Sequence, residues 1–470
     1  MVDELTFSPW NRNDKVVSML GMALFVLSIG YAIDLNNGFY RRQALLWLTV
    51  SLACAISALM LSAFETKRLS SRSLVVVLVT GIAIETVLLL ESSEVQHLAR
   101  AAFVAIVAVP ILGLLQLLDL ERFRIPLVVV VAATFFYAGQ SVINSFPNPR
   151  DDVRSWQQAT SAALLAGKNP YQVRIFSPWG PHGPNTSFYG AGIVDQNGYL
   201  TCALPYPPLS LLMVVPAYVM GNDIRYAQLL AMVLSAALMG MAAPTSGDRR
   251  IGALVGVVFL LTPRVFFTLW EGWTEPLMML NFSLVMFCAR RWWKGLPWAL
   301  GLFLATKQYS VLALPLLPLL LHGPERWKQL RAIVTKAGIL VAVINLPFLL
   351  WHVHQFIRAV ILLRVMPPFR ADALSYLVWI YSLTGRIPPT WVGVPVAAAA
   401  AALVLWKGTR SPAGFAAGVT LVTTLFFAFG KQAFCNYYYF TIGTACWSLA
   451  AANLPLSFAW SHTVIPSSPA

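Results

Sequence analysis

EPLMMLNFSLVMFCARRWWKGLPWALGLFLATKQYSVLALPLLPLLL, residues 275–321, decides what kind of chain this is. Two apolar stretches flank the turn ARRWWKG, and the second runs past a lone Lys307 to a proline-spaced segment ending at Leu321. A helix rises about 1.5 Å per residue, so about twenty apolar residues cross the roughly 30 Å of hydrocarbon in a bilayer. Tryptophan beside basic residues suits the membrane–water interface, and the pattern returns as PERWK at 324–328. The rest of the chain agrees. It is 58% hydrophobic and only 11% charged, with a mean hydropathy of +0.68. A soluble domain carries about 25% charged residues, so a water-soluble fold is excluded.

The formal net charge of +14 comes from Lys and Arg gathered in short segments between apolar runs, as in cytoplasmic membrane loops. No long basic stretch or aromatic–basic platform points to a nucleic acid. Cys54, Cys202, Cys288, Cys435 and Cys446 stand singly and form no metal signature or evident disulfide framework. The polar start, Met1 to Lys15, reads as the flank of a retained first helix rather than a signal peptide.

These features predict an all-α, polytopic transmembrane helical bundle. Residues 1–144 form an N-terminal five-helix region, with apolar runs at 16–35, 44–64, 73–90, 101–118 and 126–144. Residues 145–206 form one large polar loop, 207–455 a transmembrane core, and 456–470 a tail. Placing Arg12/Lys15, Lys67/Arg68/Arg72 and Arg122/Arg124 in the cytoplasm leaves the large loop outside. If 207–221 and 372–384 do not cross fully, the later basic groups also fall inside and the total is about thirteen spans.

The loop is the first candidate for a site, because so long a connector between spans usually has a function. Asp151 or Asp152 caps a helix on which Val153, Trp156, Thr160 and Leu164 recur at helical spacing, and Gly167 stops it. The result is a short amphipathic helix near the membrane surface. Either carboxylate can act as cap or as general base toward an attacking hydroxyl. Trp156, Tyr171 and Tyr206 offer rings on which a sugar can stack, or serve as ordinary interface aromatics. His182, the loop's single histidine, makes a poor metal site alone. Arg264, Glu271, Glu275, Lys307 and Lys431 are charged groups in or beside apolar runs, where each must face a partner or a cavity. They divide into cations for a phosphate (Arg264, Lys307, Lys431) and carboxylates for hydroxyls (Glu271, Glu275), with internal ion pairs as the plainer alternative.

Three stretches together resemble the GT-C superfamily of membrane glycosyltransferases, in its bacterial polyprenyl-phosphate-mannose or -arabinose branch. DVRSWQQATSAALLAGKNPYQ is similar to that family's first large external loop, and YPPLSLLMVVPAYVMG to its Tyr-Pro-Pro entry into the next helix. The stretch 275–321 resembles its helix, basic turn and Gly/Ala-rich helix with an internal Lys, and GKQAFCNYYYF is a weaker echo. The resemblance implies a multi-pass enzyme of the cytoplasmic membrane with its site facing outward. It implies sugar transfer from a polyprenyl-phosphate donor to a glycan or glycolipid hydroxyl, most simply with inversion, and without an essential divalent cation. Asp152 matches the family's base, with Asp151 as the neighbouring candidate. Five helices before the loop, where relatives have one, are a departure. A lipid-linked-sugar transporter and a non-catalytic assembly subunit are the competing functions, and the residues identify no protein partner.

Overall fold

A computed structural model describes residues 19–61, 71–118, 124–149, 151–178, 193–200, 204–242, 246–363 and 368–452. Among these the chain is helical, and its only β pairings are isolated bridges such as Phe39 with Ala373 and Phe176 with Tyr199. The N-terminal region contains α1 (Met19–Asp34), α2 (Arg42–Leu61), α3 (Ser71–Leu90), the single turn α4 (Ser93–Gln96), α5 (Arg100–Leu114) and α6 (Arg124–Ser145). The loop carries α7 (Asp152–Leu165). Then come α8 (Pro208–Gly221), α9 (Arg225–Ala242), α10 (Ser246–Leu260), α11 (Val265–Trp270), α12 (Glu275–Arg291) and α13 (Leu296–Thr306). After α14 (Arg326–Trp351) and α15 (Val353–Ile357), the chain closes with α16 (Tyr376–Thr384), α17 (Gly393–Lys407), α18 (Pro412–Ala428) and α19 (Cys435–Ala450).

Six helices among the described residues are long and apolar enough to cross a membrane: α2, α3, α5 with the 3-10 turn Leu115–Leu117 that extends it, α6, α9 and α14. Shorter apolar helices pack among them, so the protein is a membrane protein built as a helical bundle. Two departures from plain spans have local causes. The apolar run 251–269 breaks at Thr262–Arg264, where Pro263 follows α10 and Arg264 takes a left-handed φ of 65° before the short α11. Residues Gln308–Leu320 wind as a 3-10 helix containing Pro315 and Pro318. Proline cannot donate into an α-helical ladder, and the 3-10 form rises about 2 Å per residue, so thirteen residues reach about 26 Å. The segment 372–384 yields only the nine residues of α16. At about 1.5 Å per residue that is too short to cross.

Close packing holds the bundle together where side chains are small. On α10, a Cβ on Gly252 or Gly256 would stand 2.6 or 2.7 Å from the carbonyl oxygens of Met239 and Ala236 on α9. One glycine per turn thus lets two helix backbones approach.

The helices share a polar end. Arg225, at the start of α9, has a fully buried side chain that donates to the carbonyls of Ile143 (3.2 Å) and Phe146 (2.8 Å) at the end of α6. Arg264 reaches Asp34 at the end of α1 (3.0 Å) and Glu94 of α4 (3.6 Å). Asn436 at the start of α19 meets Glu275 at the start of α12 (2.8 Å). Arg290 and Arg291 at the far end of α12, Arg326 at the start of α14 and Lys407 at the end of α17 lie at the opposite end.

α7 is where the sequence predicts it. Asp151 caps its start, accepting from the Arg154 amide at 3.1 Å, and Gly167 (φ 70°) ends it. Its buried face carries Gln157, Thr160 and Ser161 beside Trp156. A helix resting on acyl chains would bury apolar groups alone; this one docks on protein, where amides find partners.

Arg225 satisfies two orphan carbonyls at the end of α6 while pairing with Asp223 at 2.7 Å. Replacing it (Arg225→Met) leaves a buried carboxylate and both carbonyls short of donors, so thermal unfolding in detergent or nanodiscs should show a loss of about 3–5 kcal/mol. A change within about 0.5 kcal/mol would mean that the pin contributes nothing.

Candidate active site

Five residues between α11 and α12, Glu271-Gly272-Trp273-Thr274-Glu275, organise the polar end. Gly272 has φ 68°, and a Cβ there would press on the Arg154 side chain at 3.1 Å, so this turn needs glycine for conformation and for space. Its carbonyl accepts from Gln157 of α7 (3.1 Å) and Gln228 of α9 (2.8 Å). Two buried amides therefore fasten the loop helix and the bundle to one peptide.

On one side of the turn lies a carboxyl pair. Asp151 is buried and accepts from the Trp273 indole at 3.3 Å while hydrogen-bonding with Glu271. Burial first, then the charges of Asp152 and Glu271, holds the Asp151 carboxyl well above its ordinary range. Glu271 is pushed up to about 7, chiefly by burial, with the hydrogen bond from Asp151 opposing and the charges of Asp152 and Glu94 adding to the rise. Two carboxyls this close cannot both ionise cheaply, so the pair holds a proton, with Asp151 donating to Glu271. Asp152, the first residue of α7, is half-buried and close enough for its charge to act on both.

On the other side lies a buried cation. Lys307, the cap residue where α13 ends, is 1% exposed, donates to the Thr274 hydroxyl at 2.8 Å and forms an ion pair with Glu275. Glu275 also accepts from Asn436 (2.8 Å) and the Tyr309 hydroxyl (3.3 Å). The rings of Tyr206, Tyr309 and Tyr437 surround the ammonium at 4.9, 5.4 and 5.4 Å. A desolvated cation inside such rings gains about 2 kcal/mol or more over an exposed one.

The structure thus brings together Asp151, Asp152 and Glu271, and separately Lys307, Glu275 and Tyr206, and hangs both groups on one turn. The remaining sequence candidates disperse. Arg264 belongs with Asp34 and Glu94 instead of Lys307, because the end of α1 brings two carboxylates to it. Tyr171 is 1% exposed, donates to the Tyr206 carbonyl at 2.8 Å and meets the Phe348 and Phe356 rings edge-on. It is a core residue of the loop, as is Trp156. Lys431 is half-buried, its carbonyl accepting from the Arg370 amide at 3.1 Å, and burial lowers its pKa. His182 lies outside the described residues.

Trp273, Thr274, Tyr309, Asn436 and Tyr437 escaped the sequence reading. Their only signal was position: the first two lie between Glu271 and Glu275, and the last two just beyond Lys431. Among the described residues no group of three or more His, Cys, Asp or Glu is placed to hold a metal ion. No protein-family model, no curated protein and no solved structure matches the chain.

The carboxyl pair makes stability depend on pH. Glu271 titrates at about 7 in the folded protein against 4.5 as its ordinary value. A raised value means that its contribution is fully present below about pH 4.5 and is lost as pH rises through about 7. Melting temperature in detergent should therefore fall across that window, and Glu271→Gln should flatten the fall. An unchanged slope in the variant would remove Glu271 as its origin.

Proposed function

We propose that this protein is a glycosyltransferase of the GT-C type, moving a sugar from a polyprenyl-phosphate donor to a hydroxyl of a glycan or glycolipid. The observation that carries the reading is the shared turn. It joins a carboxylate cluster at the start of the loop helix, with Asp152 at its half-buried edge, to a buried lysine. General-base chemistry needs the first and departure of a phosphate calls for the second.

The orientation follows from charge. Arg290, Arg291, Arg326 and Lys407 lie opposite the carboxylate end, and cytoplasmic loops are enriched in Lys and Arg. The site then faces outward from the cytoplasmic membrane. The short apolar helices, together with the six long ones, allow a bundle of about thirteen crossings. The donor's acyl tail stays among lipids while its sugar enters at the polar end.

In this mechanism Asp152 takes the proton of the acceptor hydroxyl as its oxygen attacks the anomeric carbon. The bond from that carbon to the phosphate oxygen breaks, its electrons leave with polyprenyl phosphate, and the anomeric centre inverts. Asp151 is less suited to be the base, because its oxygens are engaged by the Arg154 amide and the Trp273 indole. Its part is to fix the start of α7 against the turn. Lys307 lends positive potential to the leaving phosphate, aided by Lys431 on the connection into α19. Mannose and arabinose are the first donors to offer.

In proteoliposomes supplied with polyprenyl-phosphate-mannose or -arabinose and an acceptor glycan, the protein should transfer sugar. Asp152→Asn should lower kcat by about 100-fold or more with donor binding kept. Full turnover in that variant would discard Asp152 as base. Translocation of lipid-linked sugar with no transfer would put a transporter in the enzyme's place.

A further inference from the structure

A second polar feature lies against α7 and is not used by the chemistry above. An open cleft of about 460 Å³ runs between the end of α6, the first turns of α7 and the α8–α9 connection. This is within the range of about 300–1,000 Å³ for ligand sites. Its walls carry Asn144, Asn148, Arg154, Gln158, Asn222 and Asp223. Most small-ligand pockets are lined largely by apolar groups; this one presents amides, a carboxylate and a guanidinium.

These groups are set in place from below. Gln158 donates to the Asn222 carbonyl at 2.6 Å, Tyr226 donates to Asn144 at 3.2 Å, and Arg154 approaches Asp223 at 3.5 Å. Burial works to raise Asp223, but its hydrogen bonds and ion pair with Arg225, helped by Arg154, prevail and keep the carboxyl below its ordinary value. Asn222 is left-handed (φ 52°), which turns the chain sharply between α8 and α9. Among the described residues the Nε of Arg154 is buried and has no acceptor.

The ligand class follows from charge and donor–acceptor balance. A phosphate would meet the ionised Asp223 beside the Arg154 guanidinium, the one accessible among the described cleft residues, since the Arg225 side chain is fully buried. A neutral ring bearing adjacent hydroxyls meets none of that repulsion. Each hydroxyl both donates and accepts, matching planar amide and carboxylate groups that do one or the other at fixed angles.

We infer that this cleft binds a neutral, hydroxyl-rich sugar ring and serves as the acceptor subsite. The assignment of role rests on the transferase reading; the binding itself does not. Arg154 links the two places: its amide donates to Asp151, its side chain passes over Gly272, and its guanidinium lines the cleft. The cleft is lined from α7 by Arg154 and Gln158, two and six residues beyond Asp152.

The test uses the full-length protein in nanodiscs and saturation-transfer NMR. The probes are methyl mannoside, methyl arabinofuranoside and methyl glucoside, with methyl phosphate as the charged control. At least one glycoside should receive saturation, and the double variant Asn148→Ala/Asn222→Gly should reduce it at least fivefold. Glycine accepts the left-handed backbone at 222 and Asn148 is exposed, so the variant should melt as the wild type does. A nanodisc containing a monomannosyl diacylglycerol, compared with soluble mannotetraose, tells a glycolipid headgroup from a free glycan; competition by either supports the cleft. Saturation of no glycoside, saturation untouched by the variant, or saturation of methyl phosphate alone overturns it. Sugar binding without turnover from any lipid-phosphate donor keeps the cleft and discards the transferase. Turnover with acceptor KM unchanged in the double variant keeps the transferase and discards the cleft.

Discussion

A lysine ammonium shut inside a helical bundle constrains everything around it. Lys307 and Glu275 are almost wholly removed from solvent, and moving each ion out of water costs several kcal/mol even after relaxation. Part of that cost is offset by the groups gathered around the pair, those on the carboxylate all meeting one oxygen, while Glu275 Oε2 is buried with no partner among the described residues. Thr274 takes one ammonium proton, Asn436 and Tyr309 donate to the carboxylate, and three tyrosine rings stand around the cation. These groups come from the ends of α12 and α13, the 3-10 segment, α19 and Tyr206, two residues before α8. The pair therefore sets where five parts of the chain converge, and the turn 271–275 inherits its position from that convergence.

The same reasoning explains why the long polar loop is docked and not suspended. Gln157 and Gln228 both donate to the Gly272 carbonyl, and Asp151 receives the Trp273 indole hydrogen. A loop helix held only by apolar contact could slide along its partner. These bonds have directions and do not permit it. Gly272 suits them, because its φ of 68° favours glycine and a Cβ there would crowd the Arg154 side chain at 3.1 Å.

The sequence disclosed the bundle through hydrophobic runs and their basic connections. It also bounded α7 closely, because a carboxylate cap and a glycine stop are local signals that need no tertiary knowledge. Lys307 was conspicuous as a charge within an apolar run, but its partner was not. Periodicity says that a buried charge needs compensation; it does not say which of several carboxylates supplies it. Arg264 shows the limit more sharply. It looked like a companion to Lys307, yet its partners are Asp34 and Glu94, from helices that precede the loop. The 3-10 path of 308–320 was written in its two prolines, whereas the meeting of Asp151 with Glu271, 120 residues apart in number, had no local trace.

Those early helices also bear on how a substrate can enter. Arg264 ties α1 and α4 to the start of α11 by ion pairs, and Arg225 ties α6 to α9 through the carbonyls of Ile143 and Phe146, so the N-terminal region closes two flanks of the polar end. Opening the first would strand the carboxylates of Asp34 and Glu94, and opening the second would strand the carbonyls that Arg225 serves. α7 is fastened to the turn by the buried Gln157 amide and by the bond from the Trp273 indole to Asp151, and releasing it would leave those polar groups short of partners. The faces that remain are the cleft beside Arg154 and the side toward Tyr206 and α14, a helix whose residues are mostly exposed to its surroundings. A hydroxyl-bearing ligand fits the first and a lipid-tailed one the second. Two substrates arriving from opposite sides of α7 would then meet at its N-terminus, where Asp152 stands.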